Sequence, residues 1–238
     1  MRQRARFAIL AAAAMMLMAV QDGNCSAIPV ASGPRGVPVV ALTFDDGPHQ
    51  YRTPELLDLL ETLGIRATFF IVGRQAVEFP IILSDIVARG HGVANHSWSH
   101  RNITILDPDR IFDEIAFCSQ AVETITGIRP RFFRPPGGNW NETVISTAEA
   151  LGLATVLWNI NAYDTTARSP EEVASSVVRN SGPGSIILLH GGMENPIAAL
   201  PLIVRGMREK SLLFATLDQM FRFAPAAKVP IRTYGQAR

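Results

Sequence analysis

The sequence predicts an α/β fold: a distorted (β/α) barrel of seven strands in a single domain. From Val37 onward, short apolar runs alternate with amphipathic helical stretches. Runs such as "VPVVALTF" and "SIILLH" are almost continuously apolar, as in parallel strands that helices cover. The first strand leads into "DDGPH", not into the glycine-rich turn of a doubly wound, nucleotide-binding sheet. These three observations favour a barrel.

The predicted strands are separated by turn residues and helices. In order they are "VPVVALTF", "RATFFIV", "HGVANH", "RFFRPP", "ATVLWNI", "SIILLH" and "LLFATL". Helix starts are predicted at capping residues that precede amphipathic stretches, namely Thr53, Asp107, Asn141 and Ser169. A proline should interrupt one further helix near Pro80.

The N-terminus differs in composition from the rest of the chain. Arg2, Arg4 and Arg6 precede an apolar run over residues 7–20, which is shorter than the roughly 20 residues that span a bilayer. This order predicts a signal peptide over residues 1–27, cut after Ala27 or after Ser32. We therefore expect export to the periplasm or the medium, with an uncleaved membrane anchor as the alternative.

The remaining boundaries and partners follow from composition. Residues 37–223 should form the folded domain and residues 224–238 a peripheral tail. The net charge is +1 and no basic run lies outside the extreme N-terminus, which argues against a nucleic-acid partner. Nothing implies a stable protein partner. Cys25 and Cys118 are the only cysteines; Cys118 lies on the apolar face of a predicted helix and should pack in the core.

Unusual polar residues follow the predicted strands. They come at or just after the ends of strands one, three, four, five and six, and are Asp45, Asp46, His96, His100, Arg134, Asp164 and His190. In a βα barrel the C-terminal ends of the strands share one face, where active sites are built. The sequence therefore predicts an active site assembled from five strands.

Three of these residues have the chemistry of an open metal site. His96 and His100 are four residues apart in "NHSWSH", a spacing that lets two imidazoles converge on one ion. Asp46 adds an oxygen, which gives a set suited to Zn²⁺, or to Co²⁺, Ni²⁺ or Fe²⁺, with positions left open. Asp45 can then accept a proton from the water that the metal activates. The turn at "GP" should break strand alternation so that both carboxylates approach the ion.

In this order, "TFDDGP", "HSWSH", "RPPGG", "WNINAYD" and "ILLH" resemble the polysaccharide deacetylase (NodB-homology, carbohydrate esterase family 4) domain. The resemblance covers residues 39–217. It implies hydrolysis of N-acetyl groups on an amino-sugar glycan such as chitin oligosaccharide, peptidoglycan or poly-N-acetylglucosamine. The chain's length is similar to that of compact bacterial chitooligosaccharide deacetylases.

The resemblance also implies a role for each site residue. Asp46, His96 and His100 match the metal ligands, and Asp45 the general base. Arg134 matches the arginine that holds the base, His190 the general acid, and Asp164 the carboxylate that orients His190. A backbone N–H near Gly137 matches an oxyanion donor. Further substrate contacts are expected from Trp98, Trp140 and Leu188; the two tryptophans either stack on sugars or pack the barrel rim.

Four positions depart from the family pattern. Asn161 replaces a frequent Asp and is expected to weaken the anchoring of Arg134, Gly137 replaces a Tyr, Thr165 replaces a Trp, and Gly191 replaces an acidic residue. Three alternatives therefore stay open: an O-acetyl esterase acting on xylan-like glycans, an amidase acting on a non-sugar substrate, and a glycan-binding relative without turnover. His49 and His91 receive no role.

Overall fold

The computed structural model describes residues 28–167 and 169–222. The predicted signal peptide at 1–27 and the predicted tail at 224–238 lie outside the described residues. Among the residues described, none of the helices has the length and apolar character needed to cross a membrane.

The predicted barrel is confirmed as a parallel sheet of seven strands in one continuous path, β5-β4-β3-β2-β1-β7-β6, with an eighth strand pairing with β1 off that path. Every pair is parallel. The strands are β1 (Val39–Gly47), β2 (Thr68–Ile71), β3 (Gly92–Asn95), β4 (Phe132–Phe133), β5 (Ala154–Thr155), β6 (Ile160–Asn161), β7 (Ile186–His190) and β8 (Leu213–Phe214). The sheet stays open between β5 and β6, which is the distortion.

Helices connect the strands. They are α1 (Arg52–Thr62), α2 (Gly73–Glu78), α3 (Pro80–Ala88), α4 (Pro108–Thr126), α5 (Glu142–Ala150), α6 (Pro170–Asn180), α7 (Glu194–Glu209) and α8 (Leu217–Arg222). The largest apolar cluster joins strand residues such as Leu42 and Leu189 to helix residues such as Leu56 and Leu200. A second cluster, which includes Ala41, Phe70 and Ile186, fills the other face of the sheet.

Most predicted helix starts are confirmed. The side chains of Asp107, Asn141 and Ser169 each accept a hydrogen bond from a backbone N–H of their helix. The predicted interruption is also confirmed, because one helix, α2, ends just before Pro80 and another, α3, begins there. The prediction for Thr53 is wrong, because α1 begins at Arg52. Thr53 Oγ1 instead accepts from the His49 N–H at 2.8 Å and so holds the loop that follows β1.

The predicted strand "ATVLWNI" is divided in the structure. Its first two residues form β5 beside β4, and its last residue, Ile160, begins β6 beside β7, at the opposite edge of the sheet. The residues between them cross the open side of the barrel. Sequence periodicity gives no sign of this division, because the crossing residues are as apolar as the strands themselves.

Residues 28–36, which precede the predicted domain boundary, are part of the fold. Val30 forms a parallel bridge with Val156 next to β5. The Gly33 N–H donates to the Gly184 carbonyl at 2.8 Å, two residues before β7. This N-terminal segment therefore reaches from the β5 edge of the open sheet to the residues that precede β7, the neighbour of the other edge strand.

Candidate active site

The two adjacent carboxylates at the end of β1 face one site because the strand is irregular there. Asp46 has a φ of +73°, and the register of β1 against β2 shifts between Phe44 and Gly47. As predicted, the turn breaks strand alternation. Asp45 Oδ2 lies 3.6 Å and Asp46 Oδ1 3.4 Å from the same atom, His96 Nε2.

The two histidines after β3 present their Nε2 atoms to these carboxylates. His96 Nδ1 lies 2.7 Å from the Arg134 carbonyl oxygen. Because a carbonyl can only accept, Nδ1 carries the proton and Nε2 keeps its lone pair. His100, at a φ of +58°, places its Nε2 3.0 Å from Asp46 Oδ1. Both imidazoles can therefore act as ligands to one ion.

The geometry of Asp46, His96 and His100 fits a metal ion. Their candidate ligand atoms all lie within 4.8 Å of one another. Tetrahedral ligands at the usual distances from zinc are about 3.4 Å apart, close to the distances just given. Asp46 Oδ1 is also buried without a well-oriented hydrogen bond, as expected of an atom that should face a cation.

Charge in the cluster is complementary. Burial raises the pKa of Asp46, but the adjacent imidazoles of His100 and His96 outweigh it and hold that pKa well below its usual range. The same contact with Asp46 raises the pKa of His100 against the opposing effect of burial. An ionised carboxylate beside two imidazoles is a donor set for a divalent cation, which would take the place of a proton on His100 Nε2.

Arg134 holds Asp45 in place. Its guanidinium is fully buried, and Nη1 donates to Asp45 Oδ1 at 2.6 Å and to Thr43 Oγ1 at 2.9 Å. Nε donates to the Val156 carbonyl at 3.2 Å, and Nη2 to the Leu157 carbonyl at 2.9 Å. One oxygen of Asp45 is thus engaged by a fixed cation, which leaves Oδ2 toward His96.

Asn161 makes no hydrogen bond to Arg134 among the residues described, and the expected weakening of this anchoring stays a prediction. Arg134 reaches its acceptors without Asn161, and its Cζ lies 3.9 Å from the centre of the Phe70 ring. Asn161 Oδ1 instead accepts from the Tyr163 N–H at 2.8 Å. It therefore shapes the loop that carries Asp164.

His190 and Asp164 form the second half of the site. His190 pairs directly with Asp45 across β7 and β1. Asp164 Oδ1 lies 2.9 Å from His190 Nδ1, and Asp164 Oδ2 accepts from the His190 backbone N–H at 2.6 Å. Burial lowers the pKa of His190, but the bond to Asp164 and the nearby carboxylates give a net rise. The ring is thus oriented with Nε2 away from Asp164 and favours its protonated form.

The four residues predicted to contact the substrate differ in their position and in their exposure to solvent. Gly137 adopts a φ of +64° in the turn after β4, and Leu188 is buried on β7, two residues before His190. Trp140 is 44% exposed. Trp98 packs over Gly73 and edge-on against Phe117 at 6.3 Å between ring centres. Trp98 thus packs against both α2 and α4, while its contact with a sugar stays a prediction.

Three residues near the site escaped sequence reasoning. Thr43 donates to the Ile187 carbonyl at 2.7 Å while accepting from Arg134. Trp158 covers Gly138, where a Cβ would lie 2.8 Å from the indole. The His49 ring fills the space that a Cβ on Gly192 would need. Of the three, only Thr43 could have been found from the sequence. It lies two residues before Asp45 and therefore on the same face of the strand.

The comparison with known proteins agrees with this geometry. The Polysaccharide deacetylase family model matches residues 32–156. A peptidoglycan-N-acetylglucosamine deacetylase of Bacillus cereus is 34% identical over 83% of this chain and 73% of its own. A chitooligosaccharide deacetylase of a Bradyrhizobium species is 37% identical over 66% of this chain and 72% of its own.

Solved structures show the same fold. The Bc1960 peptidoglycan N-acetylglucosamine deacetylase superposes with a TM-score of 0.79 at 34% identity, over 82% of this chain and 93% of that one. A family 4 pseudoenzyme of Bacillus anthracis superposes with a TM-score of 0.78 at 26% identity, over 82% and 71%. The matched family model, the identities and the shared barrel together show that this chain belongs to the polysaccharide deacetylase family, carbohydrate esterase family 4.

Proposed function

We propose that this protein is a metal-dependent hydrolase that removes N-acetyl groups from an amino-sugar glycan. The single observation that carries the proposal is the pairing of Asp45 with His190 on adjacent strands, beside a ligand set formed by Asp46, His96 and His100. A base and an acid on adjacent strands, beside an ion site, are what amide hydrolysis requires.

The side chains divide the proton transfers between them. A divalent metal ion, with Zn²⁺ as our first choice over Co²⁺, Ni²⁺ or Fe²⁺, supplies Lewis-acid activation when bound by Asp46, His96 and His100. Asp45 Oδ2 accepts the proton of the attacking water, while Arg134 holds Oδ1. His190 donates a proton from Nε2 to the departing amine. The Gly137 N–H donates to the oxyanion, and a donor of this kind contributes roughly 2.7–4 kcal/mol.

Two alternatives share this site. The Bacillus anthracis relative is described as a pseudoenzyme, so a glycan-binding protein without turnover is the first. The intact contacts of Asp45 with Arg134 and of His190 with Asp164 favour catalysis, because binding alone needs neither. An O-acetyl esterase is the second, and it uses the same base and metal.

Acetate release tests the proposal. Wild-type protein loaded with Zn²⁺ should release acetate from N-acetylated chitin oligosaccharides or peptidoglycan, lose this activity with EDTA, and regain it when metal is added. Acetylated xylan, run in parallel on the same preparation, separates the esterase. Oligosaccharide binding with no acetate from any of these substrates would contradict the proposal and favour the binding protein.

We also propose that the chain is exported and that the signal peptide is cut after Ala27. The arginine-then-apolar order at residues 2–20 supports export. A cut after Ser32 would remove Val30, which pairs with Val156, whereas a cut after Ala27 keeps it. Mass spectrometry of the exported protein should find Ile28 as its first residue; Gly33 as the first residue would contradict the proposal.

A further inference from the structure

The N-terminal segment pairs with the chain that holds Arg134. We call residues 28–33 the strap. The Val30 N–H donates to the Thr155 carbonyl at 2.8 Å, and the Val30 carbonyl accepts from the Leu157 N–H at 2.8 Å. On the other side, the Val156 N–H donates to the Phe133 carbonyl at 2.8 Å. Residues 155–157 are therefore held between β4 and the strap.

One peptide group connects the strap to the guanidinium. The Leu157 N–H and the Val156 carbonyl belong to the same planar peptide unit, and in the trans form they point in opposite directions. The N–H donates to Val30, and the carbonyl accepts from Arg134 Nε at 3.2 Å. Fixing the N–H direction therefore fixes the carbonyl that Arg134 uses.

The next carbonyl strengthens the connection. Leu157 O accepts from Arg134 Nη2 at 2.9 Å, so the residue that the strap binds supplies a second acceptor. In this buried setting, hydrogen bonds in series polarise one another. Arg134 passes the constraint on through Nη1, which donates to Asp45 Oδ1 at 2.6 Å.

The strap is attached at both ends. Besides the Val30 pairing, the Gly33 N–H donates to Gly184 O at 2.8 Å. Gly184 has a φ of +79°, and a Cβ there would lie 2.6 Å from Gly33 O, so the backbones meet closely. The Val30 side chain packs against the cluster inside the barrel. These contacts fix the strap across the open side of the sheet.

We propose that the strap is a positioning element for catalysis: Val30 orients the peptide unit that fixes Arg134, and Arg134 fixes the general base. This inference rests on the proposed deacetylase activity. Among the residues described, no hydrogen bond joins Val30 to the metal ligands or to the base, so its hydrogen bonds reach Arg134 through residues 155–157. Loss of its pairing should slow the chemical step and leave substrate and metal binding intact.

The test compares two proline variants of the full chain. Val30→Pro removes the N–H that donates to Thr155, one of the two bonds of the Val30–Val156 bridge, and should thereby weaken the other, from the Leu157 N–H to the Val30 carbonyl. Ala31→Pro is the matched control, because the Ala31 N–H makes no hydrogen bond among the residues described. With saturating Zn²⁺ we expect Val30→Pro to lower kcat about tenfold, with KM and metal content unchanged. Hydrogen exchange at the Leu157 amide should be faster than in Ala31→Pro.

The outcomes separate the two proposals. An active wild type in which Val30→Pro and Ala31→Pro share one kcat would overturn the role of the strap, even if Val30→Pro melts earlier. A loss of kcat in Val30→Pro with unchanged exchange at Leu157 would overturn the route through the Leu157 peptide unit. A wild type that releases no acetate would contradict the proposed function instead. If Val30→Pro does not fold, Val30→Gly against Ala31→Gly replaces it, with a smaller loss of kcat expected.

Discussion

Two buried histidines flank β3, and their surroundings differ. His91 precedes the strand at its N-terminal end, where Nδ1 accepts from the Ala67 N–H at 3.2 Å. Burial, together with the charges of Arg66 and Arg89, lowers the pKa of His91 to about 4. His96 follows the strand at its C-terminal end, with Nε2 within 3.6 Å of Asp45 and Asp46.

Burial therefore does not distinguish a structural histidine from a functional one, since His91 is 7% and His96 2% exposed. The distinction lies in what faces the ring. Burial keeps His91 neutral, and the charges of Arg66 and Arg89 add to this effect against that of Asp85. Carboxylates instead meet His96, at the end of the barrel where parallel strands place their last residues. The predictions below test this contrast, from the largest expected effect on turnover to the smallest.

Removal of Asp45, the proposed general base, should cause the largest loss of turnover. Asp45→Asn keeps the shape of the side chain and loses the proton acceptor, so we expect kcat for acetate release to fall by about 10³-fold or more. His91→Gln serves as the control at the opposite end and should keep wild-type kcat. An Asp45→Asn protein with substantial turnover would assign the base to another group.

The pKa of His190, the proposed general acid, should depend on its partner Asp164. Asp164 raises the pKa of His190 against the effect of burial, and His190 must be protonated to donate. In Asp164→Asn the pKa of His190 falls, so the basic limb of the kcat–pH profile should move to lower pH, with a loss of roughly 10²-fold at neutral pH. A basic limb that stays in place would contradict the assignment of His190 as acid.

Substitution of His91, at the N-terminal end of β3, should change the free energy of unfolding and leave kcat unchanged. The folded-state pKa of His91, about 4, lies below its ordinary value of 6.5. Its contribution to the free energy of unfolding is therefore present above pH 6.5 and is lost as pH falls toward 4. That contribution is at most about 3 kcal/mol. In His91→Gln the free energy of unfolding, measured by urea titration, should depend less on pH between 6.5 and 4 than in the wild type. An equal pH dependence in both proteins would contradict the role of His91.

The sequence alone was sufficient to predict those site residues that follow directly from their position at the end of a strand. Asp45, His96, Arg134 and His190 each come at or just after the end of an apolar strand, so the parallel barrel places them together. The capping residues of α4, α5 and α6 were predictable for a similarly local reason, since each bonds to its own first turn.

Other features depend on contacts that no local pattern reveals. The division of "ATVLWNI" into β5 and β6 reflects barrel closure, a property of the whole sheet. The strap pairs Val30 with Val156, far along the chain, and the same residues would be equally plausible in a linker. Trp98 lies between two candidate ligands in sequence, yet left-handed backbone at Ser97 and His100 accompanies its packing onto α4.

Metal stoichiometry tests the central claim most directly. Purified wild type, Asp45→Asn and His96→Ala would be incubated with Zn²⁺, desalted and measured by inductively coupled plasma mass spectrometry. We predict one ion per chain for wild type and Asp45→Asn, and a strongly reduced content for His96→Ala. Equal metal content in wild type and His96→Ala would contradict the claim that Asp46, His96 and His100 hold the catalytic ion.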